Sequence, residues 1–191
     1  YQIDINADFV IDQNVLNFEA ETVVAGGETK DIIRFNNLKK ASVEGKGVLN
    51  NRISEYILTN LSQCGIKTHF VKRLNMREQL IKKVEIFPIE FIVRNIATGS
   101  LTKRLGIPEG TVLEKPLLEY CFKKDELNDP LISKEHIFTF GWALEEEIKE
   151  IDKITLRIND LLVGMFRVIG IKLVDFKIEY GKAWDKETEK N

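Results

Sequence analysis

EEEIKEIDKITLRINDLLVGMFRVIG, residues 145–170, carries the longest helical periodicity in the chain, and IKLVDFKIEYG, residues 171–181, follows it directly. Ile148, Ile151, Ile154, Ile158, Leu161, Leu162, Met165, Phe166 and Ile169 recur at helical spacing, which predicts an amphipathic helix over 145–169 with one buried stripe. The three glutamates at its start suit the positive end of the helix dipole, and Gly170 suits its cap. The period then drops to two. Val174, Phe176, Ile178 and Tyr180 fall on one face of a strand over 172–180, and Asp175, Lys177 and Glu179 on the other. Neighbours on one face lie about 6 to 7 Å apart. Two carboxylates and an ammonium presented in a row can hold a cation or a phosphorylated ligand. An amphipathic strand with an incidental ion-pair ladder carries the same pattern. Position favours the ligand: the strand follows a buried helix into the core, where uncompensated charge is costly.

Upstream, VEIFPIEFIV (84–93) is a nearly continuous apolar strand in which Pro88 marks an edge, a bulge or a crossing between lobes. It ends in Arg94-Asn95, turns through Ala97-Thr98-Gly99-Ser100, and enters a short helix over Leu101–Leu105 with Lys103 and Arg104, closed by Gly106. A guanidinium fork, a hydroxyl and the N–H groups of a helix start form an anion cradle. A routine strand-to-helix connection, with Arg94 paired to a surface acid, is the alternative. The segment lacks the glycine spacing of a P-loop, and Gly45-Lys46-Gly47 is equally short of one. Leu49, Ile53, Ile57, Leu58 and Leu61 predict an earlier helix closed by Cys64-Gly65, and Ile66–Leu74 a strand after it. Residues 108–130 read as loop-rich, with Lys123, Lys124 and Asp129 in a turn stiffened by Pro130. The first forty residues read as short strands and turns, including Asp8–Ile11, Val15–Phe18 and the Gly26-Gly27 turn, and Asp185–Asn191 as a polar tail.

The whole chain has 191 residues, 43% of them apolar, and 28 basic against 30 acidic side chains for a net charge of −2. That balance gives no electrostatic basis for nucleic-acid or membrane-surface binding, so any affinity for anions is local. Cys64 and Cys121 stand far apart, and neither His69 nor His136 has a second ligand at metal spacing, which argues against a zinc site or a disulfide framework. No run approaches the roughly 18 apolar residues of a spanning helix, and Tyr1 opens a stretch with acidic residues and no basic n-region. A soluble, cytoplasmic protein is expected. No Gly-x-Ser-x-Gly occurs. Anion-holding groups beside carboxylates suit phosphoryl transfer, where catalysis is mainly positioning and charge neutralisation.

PIEFIVRNIATGS (88–100) and LVDFKIEYG (173–181) resemble the two signature patterns of the SAICAR synthetase family. VEGKGVLNNRIS, IKTHFVKRLNMREQLIKKVEI, SLTKRLGIPEGT and NDPLISKEHI resemble that family too, in order and spacing, over about residues 36–182. The resemblance implies an α+β, two-lobed fold: a β-rich N-terminal lobe (1–88), a mixed α/β C-terminal lobe (89–191) and a nucleotide cleft between them. It also implies an ATP- and Mg2+-dependent ligase of purine biosynthesis, acting on carboxyaminoimidazole ribonucleotide and L-aspartate, and a homodimer. By the same resemblance Arg94, Ser100, Lys123, Asp129, Asp175 and Lys177 bind substrates, with Arg94, Asp175 and Lys177 catalytic. Lys82, Ile86, Lys123 and Glu179 would hold ATP, and Glu179 its magnesium. The family's glycine-lysine phosphate loop has no counterpart in residues 1–40. Its second metal-carboxylate segment is missing where Gly181-Lys182 runs into Ala183-Trp184-Asp185. A homologue that binds nucleotide with weak or no ligation is the alternative function. Lys177→Ala and Arg94→Ala are each expected to abolish turnover and leave folding intact.

Overall fold

The computed structural model describes residues 10–11, 32–35, 39–42 and 44–183. The readings for Val15–Phe18, Gly26-Gly27 and the tail from Asp185 lie outside them. Among the described residues, Ile86–Tyr180 form one compact unit, and those up to Glu85, with residues 181–183, form another.

In the unit that runs up to Glu85, strand β1 is Val10–Ile11, and β2 (Ile32–Phe35) pairs antiparallel with β3 (Lys39–Ser42). Helix α1, Lys46–Gln63, follows Gly45, whose φ of 79° favours glycine. Its buried face differs from the expected leucine-isoleucine stripe. Ile57, Leu58 and Leu61 are buried as expected, but Leu49 and Ile53 are exposed, and Gly47 and Asn51 take the inner positions of the first turns. Asn51 is held there by two bonds, Nδ2 donating to Asn75 O at 3.0 Å and its backbone carbonyl accepting from Gln79 Nε2 at 2.8 Å, while its side-chain Oδ1 is buried without a hydrogen-bond partner. The strand expected over Ile66–Leu74 shortens to β4, Phe70–Arg73, which pairs antiparallel with β5, Gln79–Ile81. The turn between them is built by Asn75, whose Oδ1 accepts the N–H groups of Arg77 and Glu78.

The unit over Ile86–Tyr180 is built on β6 (Glu85–Ile96), α2 (Ser100–Leu105), β7 (Val112–Phe122), β8 (Leu131–Ile132), α3 (Lys134–Thr139), α4 (Glu145–Val168) and β9 (Asp175–Lys182). Its sheet runs in the order β9-β6-β7-β8, so β6 is flanked on both sides. Strand β7 corrects the reading of 108–130 as loop. Pro116 and the Glu114-Lys115 pair disguise it. The β6–β7 register slips between Arg94↔Leu117 and Ile96↔Val112, leaving Pro116 where no ladder donor is required.

Alternation along β6 sends Ile89, Phe91 and Val93 to one face, all fully buried. Tyr120 stands opposite Phe91 on β7, and Phe176, Ile178 and Tyr180 supply the same layer from β9. Phe91 meets Tyr120 and Tyr180 edge-on, with ring centroids 5.5 and 5.0 Å away. Helix α4 is anchored here through polar contacts that its apolar periodicity does not announce. Tyr180 Oη lies 2.5 Å from Thr155 Oγ1, Tyr120 Oη donates to Asp152 Oδ1 at 2.8 Å, and Lys134 Nζ pairs with Asp152 Oδ2 at 2.5 Å. The amides of Asn95 and Asn159 bond to each other twice, at 2.8 and 3.1 Å. The buried stripe is therefore Ile148, Ile151, Thr155, Ile158, Asn159 and Leu162, whereas Ile154, Leu161, Met165 and Phe166 are only half-buried and Ile169 is exposed. None of the helices among the described residues is long and apolar enough to cross a membrane.

Burial raises the phenols of both Tyr120 and Tyr180 well above the ordinary range, with the hydrogen bond to Asp152 adding to the shift at Tyr120. Each phenol keeps its proton in the folded state at pH values where the unfolded chain releases it. The stability they contribute is complete below the unfolded phenol pKa of about 10 and is lost as pH rises beyond it. The expected result is an unfolding midpoint that falls above about pH 10, less steeply in Tyr180→Phe. Phenolate absorbance from these two residues should grow only as structure is lost. Its full appearance in a protein still folded by circular dichroism would contradict this account.

Candidate functional site

The opposite face of the same sheet is charged. Glu90, Ile92 and Arg94 alternate with the core residues of β6, and in register with them stand Cys121, Glu119 and Leu117 of β7. From β9 come Asp175, Lys177 and Glu179.

Arg94 is buried and held through all three guanidinium nitrogens. Nε donates to Glu119 Oε2 at 2.7 Å, Nη1 to Asp175 Oδ2 at 3.1 Å and Nη2 to Ser100 Oγ at 3.1 Å. Ser100 opens α2 directly after Gly99, whose φ of 58° and ψ of −123° a side chain would resist. Arg104, one turn along α2, reaches the second oxygen of Glu119, so one buried carboxylate is shared by two guanidinium groups. A carboxylate held this way is compensated; without its cations it would be costly in this position.

Beside this knot runs a ladder of alternating charge. Lys177 Nζ lies 2.9 Å from Glu90 Oε2, Lys123 Nζ lies 3.7 Å from Glu90 Oε1, and Lys123 also meets Glu179 Oε1 at 2.9 Å. The two glutamates are buried, whereas the Lys177 and Lys123 side chains are 42% and 36% exposed. The ammonium groups therefore stand on the accessible side of the ladder. Lys123 is fixed at the end of β7 by its backbone, whose N–H donates to Pro88 O at 3.0 Å. Between the strands, Cys121 is buried, and burial, reinforced by the nearby Glu90 charge, pushes its thiol up to about 11. It stays protonated at neutral pH and is a packing residue; Cys64 is an exposed thiol.

Arg94, Ser100 and Asp175 thus form one hydrogen-bonded group, and Lys123, Lys177 and Glu179 form another through Glu90. Asp129 is turned to its own loop, where Oδ1 accepts the N–H of Lys124 at 2.8 Å and the backbone has a φ of 44°. The contacts that join the others do not include Lys82 or Ile86. Lys82 belongs to the unit that runs up to Glu85 and donates its backbone N–H to His69 O at 2.7 Å, and Ile86 is exposed near the start of β6. Arg94 pairs with buried and half-buried acids, not with a surface one. Glu90 and Glu119 have no place in the sequence reading, and Arg104 enters it only as a residue of the short helix after Ser100. Their signal is a single acid in each of two apolar runs, PIEFIV and LLEYCF, and a second arginine ten residues after Arg94. Among the described residues no group of three or more His, Cys, Asp or Glu side chains could hold a metal ion.

The sequence model of the SAICAR synthetase family matches residues 14–188. The chain belongs to this family. Phosphoribosylaminoimidazole-succinocarboxamide synthase of Pelagibacter ubique is 66% identical over 161 residues, which are 84% of this chain and 61% of that protein. The enzyme of the same name from Rhodospirillum centenum is 58% identical over 82% of this chain and 62% of its own length. The chain spans about six-tenths of the length of these curated relatives. Among solved structures, the Ehrlichia chaffeensis synthase superposes with a TM-score of 0.81 at 46% identity, covering 84% of this chain and 68% of that one. A SAICAR synthetase solved in complex with ADP superposes at 0.79 with 42% identity, again over 84% of this chain and 68% of the other. This SAICAR synthetase family member has the α+β fold of its structural neighbours.

Proposed function

We propose that the protein is an ATP-dependent ligase that joins the carboxylate of carboxyaminoimidazole ribonucleotide to the amine of L-aspartate, yielding SAICAR, ADP and phosphate. The observation that carries this reading is the charged sheet face, where Arg94, Ser100, Asp175, Lys123, Lys177 and Glu179 meet in a chain of this family. The relatives' names and the ADP complex of a neighbour support the same chemistry.

In the reaction a carboxylate oxygen of the ribonucleotide attacks the γ-phosphorus of ATP, and the bond to the bridging oxygen of ADP breaks. The aspartate amine then attacks the acyl carbon of the resulting acyl phosphate; phosphate leaves and the new amide nitrogen loses a proton. Both steps gather negative charge in one place, and fixed cations lower their barriers most where water is excluded. Lys177 and Lys123 present ammonium groups to those anions. Arg94 holds Asp175 and Ser100 in position for the ribonucleotide, and Asp129 closes the loop beside Lys123. Lys82 and Ile86 are assigned to the nucleotide. Glu179 would hold Mg2+. With its Oε1 paired to Lys123 at 2.9 Å, Glu179 would offer the ion a single carboxylate, which is within the one or two that Mg2+ commonly takes from a protein. Held there, Mg2+ would supply neutralisation of the phosphate charge.

An ADP-release assay with the full-length protein tests this. ADP should form only when the ribonucleotide, aspartate, ATP and Mg2+ are all present. Tight ATP binding with no ADP release under those conditions would replace the ligase with a nucleotide-binding homologue.

A further inference from the structure

We propose that Glu90 is a positioning residue that locks Lys123 and Lys177 into one preorganised anion-binding pair. The proposal rests on the ligase reading for its effect on turnover, and on geometry alone for the lock itself. Glu90 is a carboxylate on an inner strand of the sheet, 6% exposed, with Oε2 2.9 Å from Lys177 Nζ and Oε1 3.7 Å from Lys123 Nζ, both contacts being ion pairs without hydrogen-bond geometry. The lysines come from different elements, β9 and the end of β7, more than fifty residues apart in sequence. Glu90 pairs with both.

Two features separate this arrangement from an incidental ion pair. First, the carboxylate is buried and the ammonium groups are accessible, so burial cost falls on Glu90 while both cations remain presented to a ligand. Second, Glu90 faces the charged side of β6 between core residues Ile89 and Phe91, where an apolar residue would pack without that cost. A lysine stem has four rotatable bonds, and an ammonium left to wander must be ordered each time a ligand binds. A shared carboxylate orders both in advance and reduces their mutual repulsion before the ligand arrives. The nucleotide, assigned to Lys123, and the ribonucleotide, assigned to Lys177, then meet one rigid cationic pair.

Glu90→Gln in the full-length protein preserves shape and removes the charge. ADP release at saturating substrates should fall by about ten- to a hundredfold, with KM for ATP and for the ribonucleotide both rising, because two separate lysines lose their order together. Glu90→Asp keeps the charge but withdraws it by one methylene, and should recover part of the loss. A loss in Glu90→Gln with no recovery in Glu90→Asp, accompanied by a collapsed thermal midpoint in both, would make Glu90 merely structural and overturn the proposal. A second readout needs no ligase activity: acetylation rates of Lys123 and Lys177 by a small anhydride, resolved by mass spectrometry in ligand-free protein. Both rates should rise several-fold in Glu90→Gln, with Lys149 labelling at its wild-type rate. Unchanged labelling of Lys123 and Lys177 overturns the lock whatever the enzyme catalyses. Changed labelling in a protein that shows no ADP release upholds the lock and overturns the ligase reading instead.

Discussion

Arg94→Ala is expected to destabilise the protein by about 3–5 kcal/mol as well as to stop turnover, because it removes one partner from a buried, fully bonded charge group. Sequence reasoning treats Arg94 as a ligand-holding residue whose loss spares the fold. The contacts contradict that. Glu119 would keep only Arg104, which is attached to a short helix and is itself about one-third exposed, and Asp175 would lose its pairing with the guanidinium. The hydroxyl of Ser100 loses a donor as well. Arg94→Lys should recover little, since a single ammonium cannot reach three partners lying in three directions. Denaturant unfolding of the three proteins decides the matter. A midpoint for Arg94→Ala equal to that of the wild type would show that the knot does not stabilise the sheet. The double variant Arg94→Ala with Glu119→Gln should regain part of the loss, because it removes the carboxylate that the first change leaves undercompensated.

The reason this coupling is hidden, while the charged face of β9 is legible, lies in what a linear pattern carries. In β9, alternation assigns Val174, Phe176, Ile178 and Tyr180 to the core and Asp175, Lys177 and Glu179 to the other face; the structure has that division from Asp175 onward, and Val174 lies half-buried ahead of the strand. The helix α4 is legible for the same reason, down to Glu145 at its start. Partners across the sheet are another matter. Nothing local in LLEYCF says that Glu119 will lie beside Arg94, because the register that brings them together depends on the irregularity near Pro116. That proline also disguised β7 as loop. Thr155 and Asn159 are invisible on an apolar periodicity because their partners lie elsewhere in the chain: Tyr180 and Asn95 are 25 and 64 positions away, although Thr155 also donates to Ile151 O one turn back. Early in α1 the apolar period misleads in the other direction. Leu49 and Ile53 keep the helical period but are exposed, and Asn51 is buried by bonds to the β4–β5 hairpin.

Lys177→Ala should do the opposite of Arg94→Ala: turnover falls by about 10²–10³-fold with almost no change in stability. The side chain is 42% exposed, so its pairing with Glu90 is partly screened and contributes little to folding, on the order of 1 kcal/mol or less. Glu90 keeps Lys123 at 3.7 Å, so no carboxylate is left without a cation. The catalytic effect is larger because a fixed charge acts on the difference between ground state and transition state; removing one such donor elsewhere costs about two to three orders of magnitude. Lys149→Ala supplies the control. It breaks an exposed pair on α4, 2.7 Å from Glu145, and should leave both rate and stability at wild-type values. Lys177→Arg keeps the charge but spreads it over a planar fork on a longer stem, and recovery should be partial. ADP release and thermal unfolding, measured on the same preparations, separate the two kinds of cation on this face. If Lys177→Ala retains the wild-type rate, the exposed ammonium has no role in the reaction; if it unfolds like Arg94→Ala, the ladder is part of the fold and not a presented charge.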